Sequence, residues 1–248
     1  MNRILFEANE ISPDNTVTLR DIRADHIRKV LHGAVGQRLK TGTVNGPVGI
    51  SRITACTEGA VTLAVDHSDQ AEEPWIDLLL ALPRPKVMKR LWAQLAALGV
   101  GRIFLLNAAK VEKCYFSSQW LDPAEYRPLL IEGLMQCGTT RLPEVTVCPR
   151  FKPFIEDDFD RLFANQPLRL IADPAPTPTP LDQPFTTPAR PLLAVGPEGG
   201  WSDYERARLT EKGFRPFSLG SRILRTDTAC IALISVLGYI KGSEQTIN

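Results

Sequence analysis

Two stretches of this 248-residue chain carry residue types at spacings suited to ligand chemistry. The first is Val195-Gly196-Pro197-Glu198-Gly199-Gly200-Trp201. Its three glycines permit a tight turn, dihedrals closed to other residues, and close approach of backbone amides to a ligand. Ser202 and Glu205 then form an S-x-x-E capping box that opens a helix. A glycine turn that merely starts a helix accounts for the same residues. The stretch is not a P-loop, since no Gly-Lys-Ser/Thr follows. Its glycines also sit at the wrong offsets for a G-x-G-x-x-G dinucleotide loop.

The second stretch runs Ser218-Leu219-Gly220-Ser221-Arg222-Ile223-Leu224-Arg225-Thr226-Asp227-Thr228-Ala229. Asp227 can cap the apolar helix that follows, a contribution of roughly 1 kcal/mol. Arg222 and Arg225 are harder to explain as caps, because cations oppose the helix dipole at that end. An anion facing them, such as an RNA phosphate or a partner carboxylate, would compensate.

Both loops require a framework that brings strand ends together. Residues 1 to about 70 read as short strands, with turns at Asn45-Gly46-Pro47 and Glu58-Gly59 and one short helix from Asp25 to His32, capped by Asp25 and closed by Gly33. Composition turns polar around Asp69 to Pro74, which marks a domain boundary. Strand and helix then alternate. Asp77–Leu82, Ile103–Leu106, Leu168–Ala172, Leu192–Val195 and Phe217–Leu219 read as strands. Val87–Leu98, Pro123–Cys137, Ser202–Lys212 and Thr226 or Asp227 to Lys241 read as helices. The fold class expected is α/β, a mostly parallel sheet with helices on both faces. Its ligands bind beyond the C-terminal strand ends, where both loops fall. Pro174 to Pro191 reads as a stiff surface loop.

Composition narrows the function classes. Basic and acidic residues balance at 29 against 28, so net charge announces no nucleic-acid partner. Locally the balance breaks: residues 84 to 113 hold seven basic residues and one acidic, and residues 20 to 40 hold six basic and two acidic. Such clusters can neutralise phosphates. The candidate RNA contacts are Arg23, Arg28, Lys29, Arg84, Lys86, Lys89, Arg90 and Lys113. Five scattered cysteines and three histidines argue against a zinc site or disulfide framework and for a reducing cytoplasm. The longest apolar run, Ala229 to Ile240, is too short to span a bilayer.

Taken together, the two loops resemble the RsmE family of the SPOUT superfamily, S-adenosylmethionine-dependent methyltransferases acting on N3 of a uridine in small-subunit (16S) ribosomal RNA. The family's runs G-P-E-G-G-[FW]-[ST]-x-x-E and L-G-x-R-I-L-R-x-[ED]-T-A stand here intact as Gly196–Glu205 and Leu219–Ala229. Weaker resemblance covers His26–Leu31, Lys86–Val100 and Gln136–Pro143. Departures fall at His32, Gln94, Ala97, Met135 and Asp227, so cofactor-side motifs are kept while substrate-side motifs have drifted.

The resemblance implies a PUA-like RNA-binding domain over 1–70 and a trefoil-knotted SPOUT domain over 75–248. It also implies a homodimer with the active site at the subunit interface. S-adenosylmethionine would be held by Ala172, Gly196, Pro197, Glu198, Gly199, Gly200, Leu219, Gly220, Ile223 and Leu224. Catalysis would use Arg222 or Arg225 as a positive field and Glu198 or Asp227 as the proton acceptor, without a metal. The expected partner is ribosomal RNA or the small ribosomal subunit. Two rival readings are a non-catalytic RNA-binding protein and an NAD-dependent α/β enzyme. A third is a methyltransferase acting on a different RNA site.

Overall fold

The computed structural model describes residues 2–174 and 190–245. Two compact units emerge: Met1–Glu73 with Leu130–Leu142, and Pro74–Leu129 with Pro143–Asn248. The division is therefore not a single cut near residue 70, because a later segment joins the first unit.

The first unit is built on β1 (Ile4–Phe6), β2 (Thr16–Leu19), β3 (Arg38–Thr43), β4 (Val48–Cys56), β5 (Val61–Ala64) and β6 (His67–Asp69). The strand order is β1-β3-β4-β5-β2, with β6 paired to β4. Every pairing is antiparallel except β1 with β3. Side chains alternate across the pleat, so Leu39, Ile53, Val61 and Leu63 join Ile4, Phe6, Val17 and Leu19 in one core. The Asn45-Gly46-Pro47 turn forms as expected, with Asn45 at φ +57°.

The helix of this unit, α1 (Ile22–Asp25), starts earlier than expected. Its cap is Asp21, whose carboxylate accepts the Arg23 amide at 2.9 Å. Asp25 thus lies inside the helix rather than at its start. The chain continues as a π turn over His26–Val30, and the Gly33 amide closes it by donating to the Ile27 carbonyl at 2.8 Å.

The second unit holds β7 (Ile76–Ala81), α2 (Pro85–Ala97), β8 (Val100–Leu106) and the first half of α3 (Pro123–Cys137). These are followed by β9 (Glu144–Cys148), α4 (Phe151–Pro153), α5 (Phe159–Leu162), β10 (Arg169–Ala172) and β11 (Leu192–Val195). Then come α6 (Asp203–Glu211), β12 (Arg215–Phe217) and α7 (Thr226–Gln245). The sheet order is β12-β10-β11-β7-β8-β9, and all five pairings are parallel. Strands β7 and β11 are buried along their whole length, as strands of a covered parallel sheet are, and are apolar throughout except for Asp77 in β7.

Strand order positions the site. From β7 the chain steps outward through β8 to β9, then crosses back beyond β7 to lay down β10, β11 and β12. The C-terminal ends of these last three strands are neighbours, beside the place where strand order reverses. Open α/β sheets bind ligands there. Beneath them a buried knot of charge ties the strands. Asp77, fully buried in β7, accepts the Arg102 backbone amide at 3.0 Å, the Arg102 Nε at 2.8 Å and the Gln166 amide at 2.6 Å. Arg190 stands 3.4 Å away. Of the Pro174–Pro191 surface-loop reading, residues 175–189 lie outside the described residues.

Candidate active site

Three loops wall an open, largely apolar cleft at the C-terminal ends of β10, β11 and β12, the kind of concavity in which small molecules bind. Ala172, Asp173 and Pro174 enter from the end of β10; Gly196, Pro197, Glu198, Gly200 and Trp201 from the end of β11. The third wall, after β12, brings Phe217 to Gly220 and Arg222 to Leu224, and Thr226, Ala229 and Leu233 on α7 close the floor.

Local chemistry fixes each loop. The capping box is present: Ser202 Oγ accepts the Glu205 amide, and the Glu205 carboxylate accepts the Ser202 amide at 2.9 Å. That carboxylate is 2% exposed and reaches further, taking the Ala109 amide at 2.6 Å. One buried side chain thus binds the β11 loop to the segment after β8. Lys110 completes the clamp by donating to the Gly199 carbonyl at 2.7 Å. Gly200 sits at φ +69°, a conformation that only glycine adopts freely, and its amide turns back to the Pro197 carbonyl. Gly196 is close-packed for another reason: a Cβ there would lie 3.1 Å from the Trp201 indole, so the ring would have to give by a few tenths of an ångström. In the third loop, Gly220 at φ +115° donates to Ser218 Oγ at 3.0 Å.

Of the ten residues expected at the cofactor, nine wall this cleft: Ala172, Gly196, Pro197, Glu198, Gly200, Leu219, Gly220, Ile223 and Leu224. Gly199 does not, since Lys110 covers its α-carbon. Among the expected catalytic groups, Arg222 and Glu198 line the cleft, whereas Arg225 and Asp227 do not. Arg225 is exposed and stands at the cap position of α7, its carbonyl accepting the Ala229 amide at 2.7 Å. Asp227 is not the cap. It lies in the first turn, 2.9 Å from Arg90 Nη2, and also accepts the Thr228 amide at 3.0 Å. Burial works to raise its pKa, but the hydrogen bonds from Arg90 and Thr228 outweigh it and hold the carboxyl below its usual range.

The expected RNA contacts separate into engaged and available cations. Arg23 is engaged: its guanidinium bonds Glu10, Asp21 and the Leu5 carbonyl, which fixes it within the first unit. Arg28 and Lys29 pair with Asp25 at 3.7 and 3.2 Å. Arg90 is paired with Asp227, and Lys89 sits 4.3 Å above the Trp120 ring. Arg84, Lys86 and Lys113 are exposed and make no ion pair among the described residues. Arg102, one of the seven basic residues of its segment, is committed to Asp77.

Sequence reasoning missed Asp173 as a wall residue. It follows β10 directly and is paired with Arg206 on α6. Phe217, Thr226, Ala229 and Leu233 were missed too, because apolar and small residues carry no chemical signal apart from their placement.

Comparison with known proteins places these features in a family context. The family model for an RNA methyltransferase domain matches residues 71–238. Ribosomal RNA small subunit methyltransferase E of Treponema pallidum is 33% identical over 96% of this chain and 90% of its own length. A methyltransferase of Legionella pneumophila, solved with S-adenosylmethionine bound, superposes with a TM-score of 0.70 at 26% identity, covering 95% of this chain and 96% of that one. A ribosomal RNA small subunit methyltransferase E from Neisseria gonorrhoeae shares the fold, with a TM-score of 0.69 at 22% identity and 96% of each chain covered.

Proposed function

Because the chain belongs to the family of ribosomal RNA small subunit methyltransferase E proteins, we propose that it transfers a methyl group from S-adenosylmethionine to N3 of a uridine in small-subunit ribosomal RNA. The observation that carries this reading is the convergence of three strand-end loops on one cleft, two of them with intact family runs. The donor set fits the cofactor. Val195, Phe217, Leu219 and Leu233 offer apolar walls to an adenosine, and the glycine loops bring backbone amides and carbonyls close without intervening side chains. Bound there, S-adenosylmethionine supplies an electrophilic methyl on a sulfonium.

The chain's own groups have three tasks: to orient the base, stabilise the negative charge that develops as N3 loses its proton, and accept that proton. Arg222 lines the cleft with no ion-pair partner among the described residues, so its charge is free for the base. Arg225, three residues on, is a second candidate cation. Glu198 is exposed at the cleft wall and is the better proton acceptor. Asp227 is a weaker base, being held ionised by Arg90, and acts by positioning the start of α7.

A trefoil knot in the second unit is supported by the out-of-order convergence of β10, β11 and β12. A PUA-like barrel is supported by the small, largely antiparallel sheet of the first unit. Homodimerisation with a shared active site is supported by exposed Ile223 and Leu224 at the cleft and Tyr239 on α7. A cytoplasmic setting agrees with five free cysteines, and no helix among the described residues is long and apolar enough to cross a membrane. Methyl transfer from labelled S-adenosylmethionine to small-subunit ribosomal RNA, with the modified position mapped, tests the whole reading. A label on a base other than uridine would move the target, and no transfer to any ribosomal RNA would reject the function.

A further inference from the structure

The first unit carries a cleft of its own, with about 1010 Å³ of open space, walled by Asn2, Arg3, Leu31, Arg38 and Lys40 among others and by no carboxylate. Arg38 and Lys40 flank buried Leu39 on β3, so both project from the outer face of the sheet. Register sets Arg38 opposite Arg52 and Lys40 opposite Ile50 on β4, and all four are exposed. Like charges directly opposite across antiparallel strands are destabilising. The ion pairs of this unit are made by Arg23, Arg28, Lys29 and Arg141. Among the described residues none is made by Arg38, Lys40 or Arg52. Arg3 is pinned at the cleft by the carbonyls of Gly138 at 2.7 Å and Thr41 at 2.6 Å. Three unpaired cations of the unit are thus gathered on the β3–β4 face, whereas Arg23, Arg28 and Lys29 of the helical segment are matched by Asp21, Asp25 and Glu10 and exposed Arg20 stands apart on its own.

We propose that this outer face of β3 and β4, with the cleft beside it, grips the ribose-phosphate backbone of the RNA, and that Arg23, Arg28 and Lys29 do not. The inference rests on the RNA reading above and locates its contact surface in the first unit. Phosphates in line with Arg52, Arg38 and Lys40 would relieve the repulsion across the strands, and exposed Ile50 and Leu31 offer apolar cover to a sugar or base.

The test is fluorescence anisotropy with a labelled small-subunit ribosomal RNA transcript over a salt series from about 50 to 200 mM. R38A/K40A is expected to shrink the slope of log affinity against log salt by about 1.5, at roughly 0.7–0.9 for each phosphate that is no longer neutralised. R52A alone should shrink it by about half that. R28A/K29A should leave it unchanged, and S-adenosylmethionine affinity by calorimetry should be the same in all. A wild-type slope in both R38A/K40A and R52A, with methyl transfer intact, overturns this inference and leaves the functional reading standing. A loss seen only with assembled subunits and not with naked RNA also overturns it, because the face would then meet protein. If the wild type neither binds nor methylates ribosomal RNA, the functional reading falls and this inference with it.

Discussion

The guanidinium of Arg90 on α2 lies 2.9 Å from the carboxylate of Asp227 in the first turn of α7. One ion pair thereby engages both a cation expected at RNA and a carboxylate expected to act as a base. The pair is partly solvated, so its coupling should stay below about 1 kcal/mol in a double-mutant cycle of R90A with D227N. The sign with pH follows from the lowered Asp227 pKa. Its stabilisation is present above the unfolded carboxylate value, about 3.9, and is lost as pH falls through the folded one. Urea unfolding near neutrality and in acid, for wild type and R90A, checks both parts. A coupling well above 1 kcal/mol would show a buried, rigid pair instead.

Asp77 should behave in the opposite way. It is wholly buried, and Arg102, Arg190 and Gln166 all converge on it. Asp77→Ala leaves the half-buried Arg102 guanidinium without its counter-charge. Such a change costs about 3–5 kcal/mol for a fully buried pair. It should cost about 2–3 kcal/mol here, because Arg102 keeps partial access to solvent. The denaturant midpoint of the second unit should drop accordingly. A loss under about 1 kcal/mol would mean that Arg102 reaches solvent once released.

His67 gives the first unit a pH response. Its ring stacks on Phe6 and lies between Thr41 Oγ1 at 2.8 Å and Thr43 Oγ1 at 3.0 Å. Burial, then the nearby charge of Arg3, lowers its pKa, with Asp66 opposing in part. A depressed histidine contributes stability above its unfolded pKa, about 6.5, and the contribution is lost as pH falls through the folded value. His26 shifts the same way through burial. Stability should therefore fall as pH drops below the unfolded histidine value, about 6.5, and His67→Gln should flatten part of that slope. An unchanged slope in the variant would assign the response to His26 alone.

How much of this was legible in the sequence depends on what each residue signals locally. Leu192–Val195 and the Leu78–Ala81 part of β7 stand out because a strand buried on both faces is apolar on both. The Ser202–Glu205 box announces itself by spacing alone. By contrast β9 is a half-exposed edge strand with no apolar run, and β12 holds Pro216, tolerated there because an edge strand can spare the amide. The expected strand, Phe217–Leu219, accordingly begins two residues late. Ion pairs such as Asp77–Arg102 or Arg90–Asp227 join residues far apart in sequence, so charge summed along the chain treats both arginines as free cations. The same limit hides the assignment of Leu130–Leu142 to the first unit.

The clamp on the glycine loop predicts an effect on affinity without any new interaction with the ligand. Glu205 ties Ser202 to Ala109 while almost wholly buried. Glu205→Ala removes charge-assisted hydrogen bonds worth roughly 1.5–3 kcal/mol each, so the β11 loop should loosen. S-adenosylmethionine affinity by calorimetry should weaken about tenfold or more, a loss of at least about 1.4 kcal/mol. Wild-type affinity would show that the loop keeps its shape without the clamp.

Arg222 and Arg225 lie three residues apart in one family run, yet only Arg222 faces the cleft. Both are exposed and neither makes an ion pair among the described residues, so alanine at either position should shift thermal melting little. Arg225 stands at the cap of α7, where its charge opposes the helix dipole and its removal costs the fold least. The positions should separate in turnover. A cation that steadies negative charge on the base acts in the transition state, and removing such an interaction slows the chemical step about a hundredfold or more. That slowing is expected for Arg222→Ala, with a smaller one for Arg225→Ala and little change in cofactor affinity for either. Single-turnover methyl transfer to ribosomal RNA, alongside melting curves, makes the comparison. If Arg225→Ala is the slower variant, the base approaches from outside the cleft wall. Near-wild-type turnover in both would remove the pair from the chemistry and leave Glu198 and the backbone of the glycine loops to carry it.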